Sequence, residues 1–133
     1  MIFADTGAYL SCFCRQDQYH RDSLRIWKEL ASEKTVTITT NHVIDELATL
    51  LARRTSYDFS AGKTEEIYDS KLSMIIRPDQ NDELEALKIF KKYADQKISF
   101  TDCLSFVVMK NLKIQHVFTF DHHFSIFGFY IIH

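Results

Sequence analysis

Short apolar runs alternate along this chain with longer segments in which apolar side chains recur every three or four positions. The runs have the length and the β-branched or aromatic character of strands. We predict strands over 1–4, 35–40, 72–77, 115–120 and 129–132. The longer segments predict helices over 6–14, 20–33, 41–54, 58–71, 80–94 and 100–112. Asn41 and Asp79 have side chains suited to cap the third and the fifth of these helices.

Strands that alternate with helices predict an α/β fold with a central, mostly parallel sheet covered by helices on both faces. The two consecutive helices between 41 and 71 break the alternation, so we expect a protruding helical hairpin there. The sequence contains no internal repeat and no low-complexity linker. We therefore expect a single domain spanning residues 1–133.

Composition and charge exclude several classes of protein. The net charge is −2, which is unlike a basic protein that coats nucleic acid. The three cysteines are an odd number, which does not suggest a disulfide framework, and Cys12 and Cys14 alone could not build a four-ligand zinc site. We therefore expect reduced thiols. The N-terminus lacks the features of a signal peptide, and no apolar stretch approaches the roughly 18 residues of a membrane span. We expect a cytoplasmic protein without membrane association.

Two aspartates directly follow predicted strands. Asp5 comes after the first strand and Asp121 after the fourth. In open parallel sheets, ligands bind beyond the carboxyl ends of the strands. Both residues could instead be ordinary helix caps, and this alternative stays open for each of them.

Two further acids lie on predicted helices. Glu46 falls at the edge of an apolar stripe, whereas Asp45 points away from the stripe and should be solvated. Asp102 lies in the first turn of a helix that is apolar nearly all round, with Ser99 at capping-box spacing. An exposed position for Glu46 and a capping role for Asp102 are the alternatives.

Convergence of these four acids would suit phosphodiester hydrolysis. Two divalent cations can generate the nucleophile and neutralise the leaving oxygen. Hard cations such as Mg²⁺ prefer oxygen ligands, and they offset the mutual repulsion of clustered carboxylates.

The chain resembles the PIN-domain family, and within it the VapC-type ribonuclease toxins of toxin–antitoxin pairs. The resemblance rests on Asp5-Thr6-Gly7, Glu46 in VIDELATLL, Asp102 in SFTDCLSFVVMKN, and Asp121 in VFTFDHHF. It implies a three-layer α/β/α domain in which Asp5, Glu46, Asp102 and Asp121 hold Mg²⁺ or Mn²⁺ and orient a water that attacks RNA.

The resemblance carries further expectations. Thr6 and Thr119 match hydroxyl positions that support the acids from behind, while Gly7 departs from the Ser or Asn often found there. A homodimer and a small antitoxin partner are also implied.

Basic and histidine residues have weaker assignments. Arg15, Arg53, Arg54 and Lys63 could contact RNA phosphates, although solvated helix faces would explain each of them equally. His122 and His123 follow Asp121, and we expect them at the surface or behind the metal ligands.

Three other interpretations of the sequence compete with a PIN-type ribonuclease. Asp-Thr-Gly also occurs in aspartic proteases, but these are all-β. A phosphoacceptor receiver domain needs paired acids after the first strand, and here Asp5 stands alone. A PIN-like module that binds RNA or protein without cleaving it is harder to exclude, although the presence of all four acids argues against it.

Overall fold

A computed structural model describes all residues from 1 to 133. The strands are β1 (Ile2–Ala4), β2 (Thr37–Thr40), β3 (Ser73–Ile76), β4 (His116–Phe118) and β5 (Tyr130–Ile132). The helices are α1 (Thr6–Phe13), α2 (His20–Ser32), α3 (Asn41–Arg54), α4 (Tyr57–Asp69), α5 (Gln80–Lys92), α6 (Phe100–Asn111) and α7 (His123–Ile126).

The five strands form one sheet in the order β3-β2-β1-β4-β5, and every neighbouring pair is parallel. The predicted fold class is confirmed, and the sheet is wholly rather than mostly parallel. The chain leaves β1 toward β2 on one side and later returns to β4 on the other. β1 and β4 therefore flank the point where the strand order reverses, which is where open α/β sheets bind ligands.

Side chains that alternate along the central strands supply a core on each face of the sheet. Phe3 and Val117 belong to the larger core, which α3 and α6 cover with Leu47, Leu104 and other apolar residues. Ile2 and Phe118 point to the opposite face, where Ile26 of α2 packs against them. Helices thus cover both faces, as the three-layer prediction requires.

The helical hairpin predicted between strands is α3 and α4, joined by Thr55 and Ser56. The Ser56 hydroxyl accepts the N–H of Phe59 and begins α4. The Ser60 hydroxyl of α4 donates to the carbonyl of Ala48 in α3 at 2.7 Å. This bond helps to hold the two helices together.

Some local predictions were wrong. Thr40, not Asn41, caps α3, because its hydroxyl accepts the N–H of Val43 at 3.1 Å. All five strands are shorter than predicted, and no sequence pattern predicted α7 or the 3₁₀ turn at Ala94–Gln96. The prediction that Asp79 caps α5 is confirmed, with Asp82 completing a capping box.

The three cysteines are free, as predicted. None of the helices combines the length and the apolarity that crossing a membrane requires.

Candidate active site

The four predicted acids come from four separate elements and line one cleft of about 530 Å³. Asp5 directly follows β1, Glu46 lies in the second turn of α3, and Asp102 lies in the first turn of α6. Asp121 follows β4. The cleft therefore lies at the carboxyl end of the sheet, where the strand-end argument places it.

Thr119 connects the two acids that follow strands. Its hydroxyl donates to Asp5 Oδ2 at 2.9 Å and accepts the N–H of Asp121 at 3.0 Å. Thr119 is fully buried, so these bonds are shielded from competing water. Thr6, the other predicted supporting residue, begins α1 and lines the cleft, and its buried hydroxyl has no hydrogen-bond partner.

Asp5 is buried, with 5% of its surface exposed. Burial raises its pKa to about 6, even though the hydrogen bond from the Thr119 hydroxyl favours the ionised form. Its second oxygen, Oδ1, is buried without a hydrogen-bond partner. That oxygen is free to bind another group in the cleft.

Of the acids in the cleft, Asp102 has the carboxyl whose pKa is raised most. Its backbone N–H is capped by the Ser99 hydroxyl at 3.1 Å. Burial, and then the charges of Asp5, Asp121 and Glu46, raise its pKa to about 9. Since each of these three acids acts on Asp102, the four carboxylates form one electrostatic cluster.

Glu46 takes the orientation that helical periodicity predicts. Val43 and Leu47 are buried beneath α3, Glu46 is half-buried at the edge of this stripe, and Asp45 is exposed. Of the two neighbouring acids, only Glu46 lines the cleft.

The two histidines after Asp121 differ in position. His122 exposes 82% of its side chain, as expected for a surface residue. His123 is mostly covered, and its Nδ1 lies 2.8 Å from Asp121 Oδ1 without the alignment of a hydrogen bond. The backbone N–H of His123 donates to the same oxygen at 2.9 Å. His123 therefore belongs to the acid cluster more closely than the sequence suggested.

The donor set fits a divalent cation. Asp102, Asp121 and His123 each offer one ligand atom, and these atoms lie within 4.8 Å of one another. Asp5 Oδ1 and His123 Nδ1 are buried polar atoms that lack hydrogen-bond partners, an arrangement that is costly without a ligand. Clustered carboxylates also favour a bound cation, which relieves their repulsion.

The predicted phosphate-binding residues divide into two groups. Arg54 lines the cleft, and Arg15 lines an adjoining cavity to which Arg54 also contributes. Arg53 and Lys63 do not line the cleft. Lys63 instead lies over two phenylalanine rings and 3.2 Å from a glutamate of its own helix.

Several residues for which the sequence predicted no role also line the cleft, among them Lys97, Tyr19 and Phe120. Lys97 follows the 3₁₀ turn with a positive φ of 55°, and Tyr19 and Phe120 form a stacked pair. Lys97 carries no motif that separates it from other lysines. The position of Phe120 between Thr119 and Asp121 was a usable signal.

Comparison with known proteins agrees with the predicted family. The family model of the PIN domain matches residues 2–130. Two curated proteins of Mycobacterium tuberculosis, from strains CDC 1551 / Oshkosh and ATCC 25618 / H37Rv, are both named 23S rRNA-specific endonuclease VapC20. Each is 32% identical over 132 residues, covering 97% of this chain and 95% of the relative.

A solved structure agrees. The crystal structure of Mycobacterium tuberculosis VapC20, described as a Sarcin-Ricin loop cleaving toxin, has a TM-score of 0.88 and 30% identity. The match covers 98% of this chain and 97% of that one. The resemblance to VapC-type toxins is confirmed, and this chain belongs to the PIN-domain family.

Proposed function

We propose that this protein is a metal-dependent endoribonuclease that hydrolyses 23S ribosomal RNA at the sarcin–ricin loop, as the toxin of a toxin–antitoxin pair. The observation that carries the proposal is the convergence of four carboxylates in one cleft, with the pKa of Asp102 raised to about 9. The RNA target is inferred from the names of the M. tuberculosis relatives.

Asp5, Glu46, Asp102 and Asp121 would hold Mg²⁺ or Mn²⁺. When bound, the cation supplies a nucleophilic water at neutral pH and neutralises charge on the phosphate oxygens. Thr119 fixes Asp5 by donating to Oδ2, and Oδ1, which has no hydrogen-bond partner, would be available to the cation. Arg54 and Lys97 offer cationic contacts for the RNA phosphates on the wall of the cleft.

The choice between Mg²⁺ and Mn²⁺ depends on His123. Carboxylate oxygens suit both ions, but Mg²⁺ strongly prefers oxygen ligands. A nitrogen ligand from His123 favours Mn²⁺. We therefore expect tighter binding of Mn²⁺ than of Mg²⁺, and a smaller difference between them in His123→Asn.

Partners and location belong to the same proposal. A ribosomal RNA substrate places the protein in the cytoplasm, and the resemblance implies a small antitoxin and a homodimer. Leu84, Leu87 and Phe90 leave apolar surface of α5 exposed, which is compatible with a protein partner. Light scattering after size-exclusion chromatography would measure the oligomeric state.

The direct test is cleavage of a sarcin–ricin-loop hairpin RNA in Mg²⁺ or Mn²⁺. The wild-type protein should cut it, and a chelator should stop the reaction. Asp5→Asn and Asp102→Asn should be inactive. Asp45→Asn is the matched control, because it replaces an exposed aspartate by the same amide, and it should cut normally. Equal cleavage by all four proteins would refute the catalytic assignment, and RNA binding without any cleavage would favour a non-catalytic module.

A further inference from the structure

Two aromatic rings are stacked on the wall of the acidic cleft. The ring centroids of Tyr19 and Phe120 are 4.3 Å apart, and the ring planes differ by 4°. Both residues line the cleft that holds the four acids. Phe120 lies between Thr119 and Asp121 in the chain, so the pair is directly adjacent to the acid cluster.

The stacked pair is held in place from both sides. Phe120 packs against the smaller core, with its ring centroid 5.9 Å from that of Phe118. The backbone N–H of Tyr19 donates to the Asp17 carboxylate at 2.8 Å, and its carbonyl accepts the N–H of Ser23 at 2.9 Å. These contacts fix Tyr19 at the start of α2, so little conformational entropy remains to be lost when a ligand binds.

Tyr19 remains partly accessible beside the cleft. Phe120 covers one face, yet 37% of Tyr19 remains exposed. An exposed aromatic ring that is backed by a second ring and lies beside a phosphodiester-cleaving cluster has the chemistry of a base-stacking platform. Neither ring has a role in holding a cation.

We propose that Tyr19, supported from behind by Phe120, stacks on an unpaired nucleobase next to the scissile phosphate. The inference rests on the proposed ribonuclease function and deepens it, because it requires a substrate whose base can leave its helical stack. Single-stranded loops satisfy this requirement, and continuous duplexes do not. Stacking tolerates any base, so this contact selects loop structure more than base identity.

A binding experiment tests the platform separately from cleavage. Binding of sarcin–ricin-loop hairpin RNA is measured by fluorescence anisotropy in the Asp5→Asn background, in which the RNA stays intact. Adding Tyr19→Leu should weaken binding roughly 5- to 150-fold, the range for loss of one stacked base. Tyr19→Phe retains the ring and should restore most of the affinity. Tyr57→Leu, which removes an exposed tyrosine outside the cleft, should leave binding unchanged.

Removal of single bases from the RNA gives the decisive result. With Tyr19 present, an abasic substitution at one loop position should weaken binding, and in Tyr19→Leu the same substitution should have little further effect. Fluorescence of 2-aminopurine at that position should fall when the RNA binds to protein that retains Tyr19. This readout needs no Tyr19 variant and therefore survives any folding defect of Tyr19→Leu.

Two failures can be told apart. If the wild-type protein cleaves the hairpin but no abasic position depends on Tyr19, the stacking platform is wrong and the proposed function stands. If the wild-type protein neither binds nor cleaves the hairpin, the proposed function fails, and the platform fails with it.

Discussion

Asp102 combines burial with three neighbouring carboxylates, and both conditions oppose its ionisation. Burial and these charges raise its pKa to about 9, and burial raises that of Asp5 to about 6. Each pKa in the folded protein lies above the ordinary value of 3.8. The folded state therefore binds these protons more tightly than the unfolded state does.

The metal-free protein should lose stability as the pH rises. The contribution of a raised carboxyl pKa is complete below about pH 4 and disappears as the pH passes the folded-state value. For Asp5 this window ends near pH 6, and for Asp102 near pH 9. We expect a Tm at pH 8 about 5 °C or more below that at pH 5.5, measured by differential scanning calorimetry in a chelator. Saturating Mn²⁺ should reduce this difference, and a flat profile in chelator would contradict the clustering of acids.

Asp102→Asn should stabilise the metal-free protein while abolishing cleavage. At pH 8 Asp102 must take up a proton on folding, because its pKa is about 9 in the folded protein against an ordinary value of 3.8. The neutral amide avoids this cost, so we expect a gain of about 1–3 kcal/mol at pH 8 in urea unfolding. The variant should also show a weaker pH dependence of stability than the wild-type protein. A loss of stability at pH 8 would mean that Asp102 makes favourable contacts other than with a cation.

Thr119→Val should weaken activity without removing any proposed ligand. It eliminates the hydroxyl that donates to Asp5 and accepts from the Asp121 backbone. Loss of such supporting contacts typically reduces metal affinity or activity about 10- to 100-fold. Thr119→Ser retains the hydroxyl and should restore most of both, as measured by cleavage rate and by Mn²⁺ titration. Equal behaviour of the two variants would show that the hydroxyl has no positioning role.

At the scale of elements, the cap of α5 should affect the stability of the protein but not its activity. The Asp79 carboxylate accepts the N–H of Asp82 at 2.9 Å, and the Asp82 carboxylate accepts the N–H of Asp79. These two residues cap the N-terminus of α5 and do not line the cleft. Asp79→Ala should lower the free energy of unfolding by about 1 kcal/mol and leave the cleavage rate unchanged. Asp79→Ser can still cap and should lose less. A fall in activity would mean that α5 supports the site directly.

The elements also show where sequence reasoning succeeds. The apolar stripe of α3 predicted that Asp45 is exposed and that Glu46 lies at the edge of the buried face, because a helix with one buried face has little freedom to rotate. The strand-end aspartates were predictable because parallel strands place their carboxyl ends at the same edge. Which strands become neighbours was not predictable from periodicity, and only the pairing of β1 with β4 brings Thr119 to Asp5.

Other features depend on contacts between distant segments. Tyr19 stacks on Phe120, although the two residues are far apart in the sequence. No local pattern marks Tyr19, and the place of Phe120 between Thr119 and Asp121 does not reveal its partner. Lys97 reaches the cleft because its backbone has a positive φ, a conformation that residues other than glycine rarely adopt. The capping of α3 by Thr40 in place of Asn41 is a shift of one residue, which is the usual uncertainty at helix ends.

At the scale of the whole molecule, the charge distribution predicts a modest dependence on salt. The net charge is −2, and only Arg54 and Lys97 place cationic side chains on the cleft. Two phosphate contacts with a single strand give a slope of about −1.4 in a plot of log affinity against log salt concentration. Arg54→Gln should reduce the magnitude of the slope by about 0.7. A slope several times steeper would reveal a broader basic surface for RNA.

We propose that the four carboxylates hold one divalent-cation site, and isothermal titration calorimetry with Mn²⁺ in the absence of RNA measures binding to that site. The wild-type protein and Asp45→Asn should bind Mn²⁺ with the same affinity. Asp5→Asn, Glu46→Gln, Asp102→Asn and Asp121→Asn should each bind at least about tenfold more weakly, since each loses a proposed ligand. Wild-type affinity in all four variants would contradict the claim.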